Sequence, residues 1–390
     1  MAPSMAANIN PQGSALTVGR AVPLTFVLAT IGVLLVAYTF VRLCQQFHHA
    51  GSVYGFVGAT LGPRAGVVSG WSLMGTYGFY GVVTSMAAGI FGAAFLDDIG
   101  VWNNQPDWAG FLIGGILLLG VLALALRPIR HATRFLLYVE GTTVALILIV
   151  CAVVLFKVIA GTAPTHTSFT LNMFTVPSGV SPSILFLGVV FGFLSFAGFE
   201  AAATLGEEAK NPRRDIPRAI LGVAIFGGVY FIFVTAVEMM GFGTDAQGVA
   251  AFGASSSLLG ELGTLFVGSW VGTIITLGTA VSAFGCALAC LVGCARLLFA
   301  LSRDGVGPSG LAKVSDSHGA PGPASIVATI GMYVVIAVAA LAFGAQPFDA
   351  FVWSGVIGTL ILLVVYILAT IGAMKLLWFS GPAPSAGRLR

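Results

Sequence analysis

Residues 185–220 read LFLGVVFGFLSFAGFEAAATLGEEAKNPRRDIPRAI and decide the fold. The stretch begins as an apolar helix, is predicted to loosen around Ser195, Ala197 and Gly198, and then places the carboxylate of Glu200 at membrane depth. A charged side chain at the centre of a membrane helix costs about 2.5–3.5 kcal/mol on insertion scales, so its presence needs a reason. A glycine break beside a buried acid is typical of the interrupted helices that form transporter binding sites.

The composition excludes a soluble domain of this size. The chain has 390 residues, of which 57% are hydrophobic and only 8% are charged, whereas a water-facing surface needs far more charge. A helix that crosses a bilayer needs about 20 apolar residues. We therefore predict a single transmembrane domain at 1–377 and a cytoplasmic tail at 378–390. The predicted spans are 22–42, 66–96, 108–126, 135–160, 183–206, 219–242, 267–299, 323–343 and 349–377.

The basic residues predict the orientation in the membrane. If the loop 207–218 is cytoplasmic and the spans alternate, every Lys and Arg except Arg20 and Lys157 lies on the cytoplasmic side. This distribution follows the positive-inside rule. It predicts a multi-pass protein of the cell membrane, with the C-terminus in the cytoplasm and the N-terminus outside. The net charge of +3 reflects this asymmetry, so it is no signal for nucleic-acid binding.

Three segments carry a resemblance to a known family. The motif FxxxSFAGFE followed by EEAKNPRRDIPRAI resembles the sixth-helix motif of the amino acid–polyamine–organocation permeases. Residues 50–71 resemble that family's loop between helices two and three, and residues 296–308 resemble its loop after helix eight. The resemblance implies an all-α polytopic membrane protein. It further implies a five-plus-five inverted-repeat helix bundle in which helices one and six are discontinuous.

The resemblance also predicts two departures from the family pattern. Residues 22–42 correspond to helix two, which leaves residues 1–19 to match only the unwound centre and outer half of helix one. Residues 349–377 correspond to helix ten, after which the family's usual last two helices are missing. The alternative to an active transporter is therefore a truncated remnant or sensor of the same fold that does not transport.

The candidate substrate site combines the break in helix six with helix one. A broken helix leaves N–H groups that can bind a carboxylate and C=O groups that can bind an ammonium group. For residues 195–200 the alternative is a contact between small residues of two helices. For Phe196, Phe199 and Tyr77 it is aromatic packing, and for Asn8 and Asn10 it is a frayed polar N-terminus. The candidate substrate-binding residues are Ser195, Phe196, Ala197, Gly198, Phe199, Asn8, Asn10 and Tyr77.

Two acids are candidates for coupling or gating. Glu200 either carries a proton or links the substrate site to the inner gate, the alternative being a structural acid. Replacing Glu200 by Gln is predicted to abolish pH-dependent transport. Glu140 either takes part in coupling or pairs at the interface with Arg130 or Arg134. A third acid, Glu238, is predicted to be solvated near the outer end of its helix.

The inner loop after helix six repeats a family motif at six positions. Its basic residues need do no more than anchor the inner end of the protein, and its prolines are predicted to separate two helices. The six residues are Asn211, Pro212, Arg213, Arg214, Pro217 and Arg218.

These observations predict a secondary active transporter for amino acids or related amines that works by alternating access around 195–200. The sequence has no GxxxxGK[ST] segment for nucleotide-driven transport, and it lacks HExxH and GxSxG, so no enzyme is predicted. Cys286, Cys290 and Cys294 form one helix face, where packing is favoured over a metal or redox site. No cofactor is predicted, and both H⁺ and Na⁺ remain candidates for the coupling ion. The predicted partners are a small-molecule substrate and the lipid bilayer.

Overall fold

The computed structural model describes residues 2–46, 52–127, 130–205, 211–314 and 321–379. These residues form thirteen α-helices, and no strand occurs among them. The predicted tail at 378–390 falls outside the described residues except for its first two positions, which continue the last helix. The helices are α1 (Pro3–Val18), α2 (Val22–Gln46), α3 (Ser52–Leu61), α4 (Pro63–Asp98), α5 (Ala109–Ala125), α6 (Arg130–Ile159), α7 (Pro182–Phe196), α8 (Pro212–Phe242), α9 (Ala246–Ala254), α10 (Leu258–Phe266), α11 (Ser269–Arg303), α12 (Gly322–Ala337) and α13 (Pro347–Met374).

The helices have the length and composition of membrane spans. In the described part of the chain, eight helical segments are long and apolar enough to cross a membrane, with α1 and α2 counted as one. Helix α5 has 17 residues, slightly fewer than the roughly 20 that a span needs. Helices suit this environment because they satisfy every backbone hydrogen bond within one segment. The predicted all-α polytopic membrane fold is confirmed.

Helices α1 and α2 are two elements joined by a sharp turn. The Oγ1 of Thr25 lies 3.4 Å from the Oγ of Ser14, although a straight helix would separate residues 11 positions apart by about 16 Å. The chain reverses at Gly19–Ala21, where Gly19 has a φ of +55°. Both helices then pack against α7.

Helix α1 lies inside the bundle. Thirteen of its sixteen residues are buried, and it contacts α6, α7, α8, α9, α10 and α11. The interpretation of residues 1–19 as a frayed, polar N-terminus is therefore wrong. The sequence made it plausible because Asn8, Asn10, Gln12 and Ser14 are polar, but all four side chains are buried.

The segment between α8 and α11 contains two short helices. Helices α9 and α10 meet at an angle of 115°, and the break between them falls at residues 255–257. The sequence AlaSerSerSerLeuLeuGlyGluLeu therefore spans the end of α9, the bend and the start of α10. Serine side chains compete for backbone hydrogen bonds and favour helix ends, and Ser257 precedes the first residue of α10.

Helix α8 begins earlier than predicted. It starts at Pro212, where a missing N–H costs nothing because the first helical N–H groups have no partner within the helix. Pro217 lies inside α8, so the prediction that both prolines separate two helices is wrong for this residue. Asn211, Arg214 and Arg218 are exposed near the start of this helix.

Candidate functional site

Helix α7 is broken at Ala197 and Gly198. The α-helix ends at Phe196, Ala197 has a ψ of 136°, and Gly198 has a φ of +98°. A positive φ is readily adopted by glycine and strained for other residues. The chain then continues as a 3₁₀ helix at Phe199–Leu205. The interruption that the sequence indicated is thus present, while Ser195 and Phe196 remain within the last turn of α7.

Helix α1 lies directly beside the last turns of α7. The Nδ2 of Asn10 donates to the Oγ of Ser195 at 2.7 Å, and the Oγ of Ser14 donates to the carbonyl of Gly188 at 2.9 Å. A Cβ atom at Gly13 would overlap the ring of Phe191, so the two helices approach closely. The structure therefore brings together Asn10 and Ser195. The Oδ1 of Asn10 is buried and has no hydrogen-bond partner.

Asn8 points to a different part of the bundle. Its Nδ2 donates to the Oγ1 of Thr279 on α11 at 2.9 Å, and its Oδ1 accepts from the Oγ of Ser257 at 3.2 Å. The same oxygen accepts from the backbone N–H of Leu259 at 2.8 Å, which caps the start of α10. Asn8 thus ties α1 to α10 and α11, and its recorded bonds do not involve the break in α7.

Glu200 connects the break to two other helices. Its side chain is fully buried. The Oε1 accepts from the hydroxyl of Tyr77 on α4 at 3.4 Å, and the Oε2 accepts from the hydroxyl of Tyr366 on α13 at 3.2 Å. The Oε2 also accepts from the backbone N–H of Gly198 at 3.1 Å. An amide exposed by the break is therefore engaged by the protein's own carboxylate.

Sequence reasoning identified Tyr77 but missed Tyr366. The hydroxyl of Tyr77 needs a partner at membrane depth, and that partner is Glu200. Tyr366 lies in the middle of the apolar segment 349–377, where a phenol hydroxyl among apolar side chains was the available signal. A buried tyrosine hydroxyl usually has a hydrogen-bond partner.

Aromatic rings enclose the break. The ring of Phe199 lies 5.9 Å from that of Phe40 and 5.8 Å from that of Tyr366. The ring of Phe196 lies 5.4 Å from that of Phe231. The side chains of Phe196 and Phe199 are both buried, and their edge-to-face and tilted geometries are those that aromatic pairs prefer.

Glu140 of α6 contacts the start of α1. Its Oε1 accepts from the backbone N–H of Ser4 at 2.9 Å, where the unpaired N–H groups at the start of α1 favour a negative charge. Arg134 is exposed, and no ion pair between it and Glu140 is found in the described part of the chain. The prediction of a pair with Arg134 is therefore wrong, and the Arg130 side chain lies outside the description.

Glu238 is not solvated. Its side chain has no exposed surface, and within the described ranges neither of its carboxylate oxygens has a hydrogen-bond partner. The prediction failed because it considered only the distance of Glu238 from the end of α8. In the structure α6 and α10 pack against α8. One turn after Glu238, Val154 of α6 and Leu262 of α10 lie next to Gly241.

The cysteine face of α11 contains a thiol pair. The side chains of Cys286 and Cys290 are hydrogen-bonded to each other, and Cys294 is buried against Gly78 of α4. Within the described ranges, no group of three His, Cys, Asp or Glu side chains has the arrangement of a metal site.

Two cavities open at the end of the bundle that the charge pattern predicts to be outside. One of about 580 Å³ is bordered by Gln12, Asp97, Asp107 and the bend between α9 and α10. Gln12 lies on its α1 side, where its Nε2 donates to the carbonyls of Phe252 at 3.1 Å and Ser255 at 2.6 Å. The other, of about 560 Å³, is bordered by the last turn of α8 and by residues 165–172 and 243–251.

Comparison with known proteins gives the family. The sequence profile described as Amino acid permease matches residues 1–384. The chain belongs to this family. The resemblance to amino acid–polyamine–organocation permeases is thereby confirmed, together with a multi-pass membrane fold. The five-plus-five repeat stays a prediction.

The chain is similar in sequence to several named permeases. It is 29% identical over 297 residues to the low-affinity putrescine importer PlaP of Escherichia coli, covering 76% of the chain and 62% of the importer. It is 28% identical over 315 residues to the branched-chain amino acid permease BcaP of Bacillus subtilis, covering 79% and 65%. It is 25% identical over 323 residues to the L-asparagine permease of Salmonella typhimurium, covering 81% and 62%. The chain thus spans less than two thirds of the length of these relatives.

Proposed function

We propose that this protein is a secondary active transporter of amino acids or related amines, working by alternating access around the break in α7. The observation that carries the proposal is the interruption at Ala197–Gly198 beside α1, in a chain of the amino acid permease family. Broken helices at membrane depth supply polar backbone groups only where they line a cavity or bind a ligand. Nothing in the comparisons favours the non-transporting alternative.

The contacts at the two helix ends favour an ammonium group as the recognised part of the substrate. Glu200 engages the N–H of Gly198, and Glu140 engages the N–H of Ser4. Backbone donors that would otherwise bind a substrate carboxylate are thus engaged by the protein. The carboxylates that do so add negative charge next to the break and to the start of α1, which suits an amine. The name of the putrescine importer is in line with this preference.

The cavity of about 580 Å³ beside Gln12, which we call the vestibule, is the proposed entrance. Asp97 and Asp107 are the charged residues along its border, and an opening lined by one sign of charge raises the local concentration of the opposite ion. The orientation follows the positive-inside distribution, with this vestibule outside and the C-terminus in the cytoplasm. The coupling ion is H⁺ or Na⁺, and the protein performs no enzymatic step.

Uptake into proteoliposomes tests the proposal. The purified chain is reconstituted, and accumulation of labelled putrescine, leucine and asparagine is measured under a proton gradient, a sodium gradient and neither. Counterflow, in which unlabelled substrate inside drives entry of labelled substrate, reports transport without any ion gradient. We expect counterflow of at least one amine or amino acid, absent from empty liposomes. Absence of both uptake and counterflow for the whole panel would contradict the proposal.

A further inference from the structure

We propose that Glu238 is a proton-binding site that couples transport to a proton gradient; this inference rests on the transport function proposed above. The residue lies on α8 and does not belong to the cluster of Glu200, Tyr77 and Tyr366 at the break. Its side chain has no exposed surface, and neither oxygen has a hydrogen-bond partner among the described residues. An isolated charge in such a place is very costly unless it is neutralised.

No described basic side chain neutralises Glu238. No ion pair involving Glu238 occurs in the described part of the chain. Lys157, at the end of α6, donates instead to the carbonyl of Phe266 at 2.7 Å. Arg20, in the turn before α2, lies at the same end of the bundle and forms no ion pair in the described part of the chain. A bound proton is therefore what makes the buried acid neutral in this conformation.

The other groups around Glu238 leave the proton as its natural ligand. Cys151 of α6 and Tyr230 of α8 are close enough to interact with it electrostatically, and Glu140 of α6 interacts with the same tyrosine. The hydroxyl of Tyr230 is also buried and has no hydrogen-bond partner among the described residues. Helices α1 and α9 carry no ionisable side chain, Glu261 of α10 is exposed, and the ionisable side chains of α2 lie in its last nine residues, at the end away from the turn at Gly19–Ala21. In the described part of the chain, no group of three acidic, thiol or imidazole side chains has the arrangement of a metal site, and no ion pair involves Glu238.

Glu200 provides the contrast within the same protein. Its two oxygens receive three hydrogen bonds, from Tyr77, Tyr366 and the amide of Gly198. Hydrogen bonds donated to both oxygens favour the charged form of a carboxylate, so Glu200 has compensating partners that Glu238 lacks. Glu238 has the same burial and none of these donors. The two acids are therefore suited to different tasks, with Glu200 organising the break and Glu238 holding a proton.

A polar cavity lies close to Glu238 along α8. The cavity of about 560 Å³ is bordered by Met240 and Phe242, which belong to the last turns of the same helix, and by His166 and Asp245. A proton from the predicted outer side therefore has to pass only about one helical turn of α8 to reach the acid. Helix α8 also contacts α1 and the 3₁₀ turn that follows the break. These contacts are the route by which a rearrangement at the break would reach α8 and so alter the burial of Glu238.

The experiment compares gradient-driven accumulation with counterflow in the same proteoliposomes. For Glu238→Gln, which mimics the neutral acid in size and shape, we expect counterflow to persist. Accumulation under a proton gradient should fall to the level measured without a gradient. The matched control is Glu261→Gln, an exposed glutamate on the adjacent α10, which should retain both activities. Accumulation like that of the wild type in Glu238→Gln would overturn the proposal, as would a loss of gradient dependence in Glu200→Gln alone.

Infrared spectroscopy provides a second measurement that does not require transport. The C=O stretch of a protonated carboxylic acid should be present in the purified wild-type protein at neutral pH and in Glu200→Gln. It should be absent from Glu238→Gln and displaced in Glu238→Asp. A wild-type protein without this band would overturn the proton site even if it transports. Failure of wild-type counterflow would instead contradict the transport function, and the band would still decide the state of Glu238.

Discussion

The amide of Asn10 donates to the hydroxyl of Ser195 at 2.7 Å, and this bond joins α1 to the last turn of α7. The hydroxyl of Ser195 in turn donates to the carbonyl of Phe191 at 3.0 Å, so it has both a donor and an acceptor as partners. The Oδ1 of Asn10 remains without a partner in this buried position. The pair thus leaves one acceptor available beside the break, where a substrate ammonium group would need one.

Replacing Ser195 by Ala should weaken substrate binding more than it weakens the fold. Polar bonds between membrane helices contribute about 0.6 kcal/mol on average and about 1.7 kcal/mol at most, so we expect a small fall in thermal stability. The apparent KM for uptake should rise several-fold because Asn10 loses its fixed orientation. Ser14→Ala is the matched control, since it removes a similar bond between the same helices further from the break. Equal effects of the two variants on KM would contradict a binding role.

Replacing Gly198 by Ala should impair transport through the backbone. The φ of +98° at this residue is strained for any side chain, and departures into the left-handed region cost about 1–2 kcal/mol per residue. We expect a loss of uptake together with lower thermal stability, because the break must rearrange to relieve the strain. Gly222→Ala on α8, where no neighbouring atom lies within 4 Å of an added Cβ, serves as the control. Wild-type uptake in Gly198→Ala would show that the break does not require its observed conformation.

Replacing Glu200 by Gln should lower uptake at every pH. The NH₂ group would replace an oxygen that accepts from Tyr77, Tyr366 or Gly198, so at least one of these hydrogen bonds would be lost or reversed in direction. The sequence alone predicted that this variant abolishes pH dependence, whereas the three donors favour a role in holding the break. A series of uptake rates across the pH range decides between the two. A flat profile in Glu200→Gln would assign the coupling proton to Glu200.

Replacing Asp97 and Asp107 by Asn should raise the apparent KM for cationic substrates. Both residues border the vestibule of about 580 Å³, and surface charges of this kind act mainly by attracting the oppositely charged ion. The effect should be larger for putrescine than for leucine and should shrink as salt is added, because the Debye length is only about 8 Å at physiological ionic strength. Glu261→Gln, which does not border the vestibule, controls for a general change of charge. An equal change for both substrates would contradict this role.

Local sequence was sufficient for the features that depend on one segment. The break was predictable because Ala197, Gly198 and Glu200 follow each other in an otherwise apolar helix, and few other arrangements explain an acid there. The short helix at 52–61 was predictable because Gly62 and Pro63 end it. The all-helical membrane fold followed from composition, since a lipid environment permits few alternatives.

Features that depend on packing between distant segments were not predictable. Glu238 was placed in solvent because nothing in its own helix reveals that α6 and α10 cover it. Residues 1–19 resembled a loose terminus because their burial depends on α7, α9, α10 and α11, which are all more than 150 residues away in the sequence. Tyr366 was missed for the same reason, since its partner lies on a different helix.

The bent pair of α9 and α10 has a consequence for pharmacology. Gln12 and Asn8 fasten α1 to this pair through the carbonyls of Phe252 and Ser255 and through the amide of Leu259. Any outward swing of α1 must therefore break these bonds or carry α9 and α10 with it. With α9 and α10 on the proposed outer side, an antibody fragment that binds both helices should therefore inhibit the proposed transport without competing with the substrate.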